Sequence, residues 1–150
     1  MLESTGGSDT DVLVLNAEDP LAWGKLLGRI GEQEECYIVD PYLKAPELAQ
    51  IIKYTSTARV LVGPYLKKAE LTELRVLLAS PGHEHIEVRQ APRQTIRDRY
   101  IIGETEMHLI GASMDNIGGT TTTILVPIPE SAALSLREAG EDVVGEVQFT

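Results

Sequence analysis

The chain has 150 residues, of which 43% are hydrophobic, and it carries a formal net charge of −10. This length predicts one domain with enough apolar sequence to bury a core. The negative charge opposes contact with nucleic-acid backbones or anionic lipids unless a local basic cluster provides it. No apolar run reaches the roughly 18 residues that span a bilayer, and the first residues lack the pattern of a signal peptide. We expect a soluble cytoplasmic protein.

The beginning of the chain combines a polar leader with a strand and a helix. Residues 1–10 are rich in Gly, Ser and Thr without periodicity, which predicts a disordered leader or linker before a domain that covers residues 11–150. The β-branched run 11–15 predicts a strand. Asp19-Pro20 then predicts the start of a helix, which Gly31 ends.

The middle of the chain alternates strands and helices, as βαβ units do. The run Cys36–Val39 is apolar at every position, which is typical of a strand covered on both faces, and Asp40 follows it as a turn cap, an arginine partner or a functional group. The pattern continues with a helix from Pro46, a strand over 58–62, a helix over 67–79 and a strand over 86–90.

The last third of the chain changes to strands that are joined by short turns. Strands are predicted over 97–102, 107–110 and 121–126, and together they indicate a β-meander. Pro127 is expected to stop the last strand, and a helix is predicted over 130–139. The complete pattern predicts an α/β fold with a mixed β-sheet flanked by α-helices.

Residues 96–118 contain a motif with recognisable spacing. The chain reads Arg97-x-Arg99-x(4)-Glu104-x(6)-Gly111-Ala112-Ser113. It resembles the signature of the phospholipase D (PLD) superfamily, H-x-K-x(4)-D-x(6)-G-[ST], with the same gaps. The segments IVDPYL at 38–43 and GASMDNIGG at 111–119 are also similar to bacterial PLD-like domains, so the resemblance covers roughly residues 35–126.

The resemblance implies a single PLD-like domain with Arg97, Arg99, Glu104 and Ser113 around one pocket at the strand ends. In the family, the histidine attacks phosphorus and the lysine holds phosphate oxygens. Arg97 stands in the histidine position, and a guanidinium is neither a nucleophile nor a proton shuttle near neutral pH. The resemblance therefore implies a vestigial site that has kept its positive charge but not the nucleophile of the family.

An arginine cluster strengthens the interpretation of this segment as a binding site. Arg89, Arg93, Arg97 and Arg99 lie within eleven positions of an acidic chain. Arg93, Arg97 and Arg99 can bind a phosphate or another anion, and Ser113 and Asn116 can add hydroxyl and amide contacts. Alternatively, the arginines are solvated or paired with nearby carboxylates.

We therefore predict a non-catalytic PLD-like module that acts in protein association and anion recognition, as one domain of a larger bacterial protein. The resemblance implies a homodimer, because family members with one signature commonly pair. One alternative is a phosphodiesterase or nuclease that uses His108, or a water activated by Glu104. Another is a nucleic-acid-binding module, which the acidic charge opposes. The sequence predicts no metal and no cofactor.

Overall fold

A mixed seven-stranded sheet forms the centre of the part of the chain that the structure describes, and helices accompany it. The computed structural model describes residues 12–91, 98–104 and 106–129 and the separate positions 132 and 135. Its elements are β1 (Leu13–Leu15), α1 (Ala22–Gly31), β2 (Tyr37–Val39), α2 (Ala45–Tyr54), β3 (Arg59–Val62), α3 (Lys68–Ala79), β4 (Glu87–Gln90), β5 (Arg99–Ile102), β6 (Met107–Ile110), a 3-10 turn (Met114–Asn116) and β7 (Thr123–Pro127).

The order of the strands is β1-β7-β6-β5-β2-β3-β4. Strands β2, β3 and β4 are parallel, because each is joined to the next by a helix, whereas β5, β6 and β7 run antiparallel to their neighbours. The predicted α/β class, the mixed sheet and the β-meander are confirmed. Strand β1 pairs antiparallel with β7 and forms one edge of the sheet.

Helices α1, α2 and α3 contribute to one hydrophobic cluster on the same face of the sheet. The members from the sheet alternate along each strand, as Ile38, Val60 and Ile101 do, and they pack against Leu26 and Ile51 of the helices. A second cluster contains the residues between them, including Tyr37, Leu61 and Tyr100. Among the described helices, none is long and apolar enough to cross a lipid bilayer.

Several predicted boundaries differ from the structure by one to three residues, and two of these differences have a clear physical cause. Helix α1 begins at Ala22 rather than directly after Asp19, because the Asp19 carboxylate accepts the Leu21 N–H at 2.9 Å and so holds a turn before the helix. Strand β7 includes Pro127, which pairs with His108 at the end of the ladder. A proline is tolerated at this terminal position, and the ladder continues when the Ile128 N–H donates to the Met107 carbonyl at 2.8 Å.

Some predictions concern residues that the structure does not describe. They are the leader over residues 1–10, the cluster members Arg93 and Arg97, and the helix over 130–139 apart from positions 132 and 135. These remain predictions from the sequence.

Candidate anion-binding site

The carboxyl end of β2 and the start of β5 meet at the same end of the sheet, where its strands end. We call this place the arginine edge. Val39 pairs with Tyr100, so Asp40 follows β2 at the point where Arg99 begins β5. Successive side chains of a strand point to opposite faces. Arg99 and Ile101 therefore share the helix-covered face, and so do Ile38 and Asp40. Two residues that lie 59 positions apart in the sequence are thus brought to the same face and the same edge.

Asp40 is the buried centre of this edge. Its side chain is 0% exposed, and its carboxylate accepts hydrogen bonds from the Tyr42 N–H at 2.9 Å and the Met114 N–H at 2.8 Å. The Ser113 hydroxyl donates to the same carboxylate, at 3.1 Å and 3.2 Å from its two oxygens. Burial raises the pKa of Asp40, and the hydrogen bonds together with the charge of Arg99 oppose that rise. Asp40 therefore joins the loop after β6 to the loop after β2.

Arg99 keeps hydrogen-bonding capacity at this edge. Its guanidinium lies 5.5 Å from the centre of the Tyr42 ring, within the range of a cation–π contact. Its Nε atom is buried and makes no hydrogen bond with any residue that the structure describes. Within the same residues, no ion pair of Arg99 with a carboxylate is found. The ring of Tyr42 therefore orients a cation for which the described residues supply no acceptor at Nε.

Ser113 and Asn116 lie in the loop after β6. Ser113 is 7% exposed, and its hydroxyl donates a hydrogen bond to Asp40, so the hydroxyl that we predicted as a ligand contact is used inside the protein. Asn116 ends the 3-10 turn and is exposed, and its carbonyl accepts the Gly119 N–H at 3.0 Å. Ser113 is thus a support of the site, whereas Asn116 remains a predicted ligand contact.

Glu104 does not lie with Arg99 and Ser113. It follows the end of β5, whereas Arg99 begins that strand, and the strand between them extends over about 10 Å. Glu104 instead lines a cavity of about 330 Å³ near the end of α1, together with His108, Glu106, Arg29, Glu32, Gln33 and Glu34. The prediction of one pocket around all the motif residues is therefore wrong for Glu104, because β5 separates Arg99 from Glu104 along the strand direction and places them at opposite ends of the sheet.

His108 lines the same cavity as Glu104 and does not lie at the arginine edge. It is 2% exposed and pairs with Ile101 and Pro127 in the neighbouring strands. It lies within β6 on the helix-covered face, where it lines the cavity. The geometry therefore separates the only candidate imidazole of the motif from Arg99. Within the described residues, no group of three or more His, Cys, Asp and Glu side chains could hold a metal ion.

A lysine network supports the arginine edge and was not predicted. The Lys44 ammonium bridges Glu70 at 3.3 Å and Asp115 at 3.2 Å, and its hydrogen bonds to Asp115 and then to Glu70 raise its pKa. Burial also raises the pKa of Glu47, in the first turn of α2. At the start of α3, the Glu70 carboxylate accepts the Lys67 N–H at 2.8 Å, which is one half of a capping box. The sequence signal was a lysine followed three residues later by a glutamate at both helix starts.

Comparison with known proteins identifies the type of fold and no family. No family model matches the chain, and no curated protein matches it. Among solved structures, the chain is similar to the archaeal chromatin protein TrmBL2, with a TM-score of 0.53 and 14% identity over 87% of this chain and 49% of that chain. That structure was described as showing a novel mode of DNA binding. Polyphosphate kinase from Porphyromonas gingivalis matches with a TM-score of 0.48 and 15% identity over 89% of this chain and 21% of that chain.

The chain therefore spans about half the length of TrmBL2 and about a fifth of the polyphosphate kinase. At such low identity, the similarity to TrmBL2 concerns the arrangement of strands and helices only. The similarity to the kinase is weaker still.

Proposed function

We propose that this chain is a non-catalytic PLD-like module that recognises an anion, of the phosphate class, at the edge formed by Arg99, Tyr42 and Asp40. The observation that carries the proposal is the state of Arg99, which is stacked on Tyr42 and has a buried Nε without an acceptor among the described residues. A guanidinium presents several N–H donors in a geometry that matches phosphate oxygens.

The charges around Arg99 support this proposal. The carboxylates of Glu70 and Asp115 both bind Lys44, whose single positive charge compensates part of their negative charge. Burial of Asp40 raises its pKa, which makes this carboxyl less readily ionised than a free aspartate. The arginine edge therefore repels an anion less strongly than the net charge of −10 indicates.

The absence of catalysis is proposed because the site lacks a nucleophile of the family type. Arg97 occupies the histidine position in the sequence, and His108 lines the cavity that also contains Glu104. An arginine cannot replace an imidazole in covalent attack on phosphorus. Direct DNA or RNA binding is also opposed by the net charge. Recognition of one small anion requires only the local charge of Arg99.

We expect inorganic phosphate to bind the purified protein, and we expect Arg99→Gln to weaken that binding about 10-fold or more. A hydrogen bond to a charged group contributes about 1.5–3 kcal/mol, and each 1.4 kcal/mol changes affinity about tenfold. Isothermal titration calorimetry measures the affinity. Arg59→Gln is the matched control, because Arg59 also stacks on a tyrosine, with its guanidinium 4.7 Å from the Tyr37 ring centre, but lies in β3 on the other face.

Three outcomes would contradict the proposal. A wild-type protein that binds neither phosphate nor sulfate would remove its basis, and so would equal losses in Arg99→Gln and Arg59→Gln. Hydrolysis of bis-(p-nitrophenyl) phosphate that is lost in Arg97→Ala would show that the module is an enzyme.

We also propose that the module forms a homodimer through β1. This edge strand exposes Val14 by 46% and its cross-strand neighbour Ile124 by 43%, whereas the opposite edge strand β4 carries the Glu87–Arg89 ion pair at 2.7 Å. Charged side chains protect a sheet edge against pairing, and exposed β-branched side chains do not. Antiparallel pairing of two copies around Val14 brings apolar residues together without opposing like charges.

We expect light scattering to give the mass of a dimer for the wild type and of a monomer for Val14→Lys. The lysine would place two like charges opposite each other at the centre of the paired strands. Val76→Lys is the control, because Val76 is 65% exposed on α3. A monomeric wild type, or a dimer that survives Val14→Lys, would exclude this interface.

A further inference from the structure

Two adjacent βα units of the sheet repeat one sequence. Residues 39–48 read VDPYLKAPEL and residues 62–71 read VGPYLKKAEL, so both follow the pattern V-x-P-Y-L-K-x-x-E-L. Each copy contains the end of a strand, a short loop and the start of the next helix. The pattern therefore describes the same structural unit twice, with Tyr42 and Tyr65 at the same position of the two loops.

The two loops lie side by side at the edge that carries Arg99. Strands β2 and β3 are parallel neighbours, so their carboxyl ends meet at that edge. The Gly63 N–H donates to the Pro41 carbonyl at 3.0 Å, and a Cβ atom at Gly63 would lie 2.7 Å from the same oxygen. The contact leaves no space for a side chain and fixes one loop against the other.

The two copies differ at the position before the proline. The first copy has Asp40 there, and its Tyr42 lies against Arg99. The second copy has Gly63, and Tyr65 is 61% exposed. Tyr65 therefore presents a solvent-exposed aromatic ring beside the site, whereas the ring of Tyr42 is in contact with Arg99. A tyrosine ring that adds so little to the core is available for stacking against a ligand.

We infer that the arginine edge binds a phosphate that is joined to a planar ring, and that the ligand class is a nucleoside monophosphate. This inference rests on the proposed anion site. The phosphate binds Arg99 and the base stacks on Tyr65. Strands β5, β2 and β3 are consecutive in the sheet, so Arg99 and the second loop are two strand spacings apart, about 10 Å. This separation is comparable to the extent of a nucleotide from its phosphate to its base. Stacking on an aromatic side chain also tolerates any base.

The test compares three ligands by calorimetry: AMP, ribose 5-phosphate and inorganic phosphate. We expect AMP to bind at least about fivefold more tightly than the other two, since stacking of one base contributes on the order of 1–3 kcal/mol. Tyr65→Ala should remove this advantage and leave the affinity for phosphate unchanged, and Tyr65→Phe should keep it. Tyr54→Ala is the matched control, because Tyr54 is 55% exposed but ends α2 rather than preceding a helix.

The outcomes separate this inference from the function on which it rests. If phosphate binds through Arg99 but AMP binds no more tightly, or if Tyr65→Ala leaves the advantage of AMP intact, the nucleotide inference is wrong and the anion site remains. If neither phosphate nor AMP binds the wild type, the anion site and the nucleotide inference are both overturned. Equal losses in Tyr65→Ala and Tyr54→Ala would also overturn the stacking role.

Discussion

Replacement of Asp40 by alanine is expected to lower the free energy of unfolding by about 3 kcal/mol or more. The substitution leaves the Tyr42 N–H, the Met114 N–H and the Ser113 hydroxyl without their acceptor. Each buried donor that loses its partner costs about 1–3 kcal/mol. Urea denaturation followed by circular dichroism measures the change.

The control for this substitution is Asp115→Ala. Asp115 also accepts a charged partner, Lys44, but its side chain is 26% exposed and Lys44 keeps Glu70. Partly exposed ion pairs contribute about 0–1 kcal/mol, so we expect a small loss. Asp40→Asn should lie between the two, because the amide oxygen can accept from one side while the amide nitrogen opposes an N–H donor on the other. A loss below about 1 kcal/mol in Asp40→Ala would contradict the role that we assign to this carboxylate.

The pH dependence of the same variants gives an independent test. Burial raises the pKa of Asp40 in the folded protein. A carboxyl whose folded pKa exceeds its unfolded pKa, about 3.9, binds its proton more tightly when folded. Its contribution to stability is complete below the unfolded pKa and is lost as the pH rises through the folded pKa. The difference in stability between the wild type and Asp40→Asn should therefore narrow as the pH rises from about 4, and a widening difference would contradict the direction of the shift.

The sequence predicts the elements of this fold well because each is determined by local patterns. The apolar run before Asp40 could be identified as a covered strand, and helix α3 follows the apolar spacing of Leu71, Leu74 and Leu78. Periodicity, proline and glycine act over a few residues, and they also determined the meander. The antiparallel addition of β1 to β7 could not be predicted, because it joins residues more than 100 positions apart.

The candidate site could be predicted only in part, for the same reason. The motif correctly indicated Arg99, but the spacing of residues along the chain does not show which of them lie at the same end of the sheet. Glu104 follows the end of β5 and therefore lies at the opposite end of the sheet from Arg99. The hydrogen bonds between Asp40 and Ser113 link residues 73 positions apart, and no local pattern contains them. The pattern V-x-P-Y-L-K-x-x-E-L, which contains Tyr65, is visible in the sequence, whereas the position of the Tyr65 loop beside the Tyr42 loop depends on the pairing of β2 and β3 in the sheet.

Two glycine-to-alanine substitutions are expected to change stability in opposite directions, and the first of them tests the contact between the repeated loops. At Gly63, the new Cβ atom would lie 2.7 Å from the Pro41 carbonyl oxygen and 2.9 Å from its Cα atom. The backbone of the first loop would have to move, and overpacking of this kind costs about 1–3 kcal/mol. We expect Gly63→Ala to be destabilised by that amount and to lose affinity for phosphate, because the displaced loop carries Tyr42 and Asp40.

Gly28→Ala is the matched case. Gly28 lies inside helix α1, and a Cβ atom there would meet nothing within 4 Å. Alanine restricts the unfolded chain and favours helix, so we expect Gly28→Ala to gain about 0.5–1 kcal/mol. Thermal and urea denaturation of both variants, together with a phosphate titration, provide the measurement. If Gly63→Ala were as stable as the wild type and bound phosphate equally well, the two loops would not depend on close contact, and the edge would lose the rigidity on which recognition by Arg99 and Tyr65 relies.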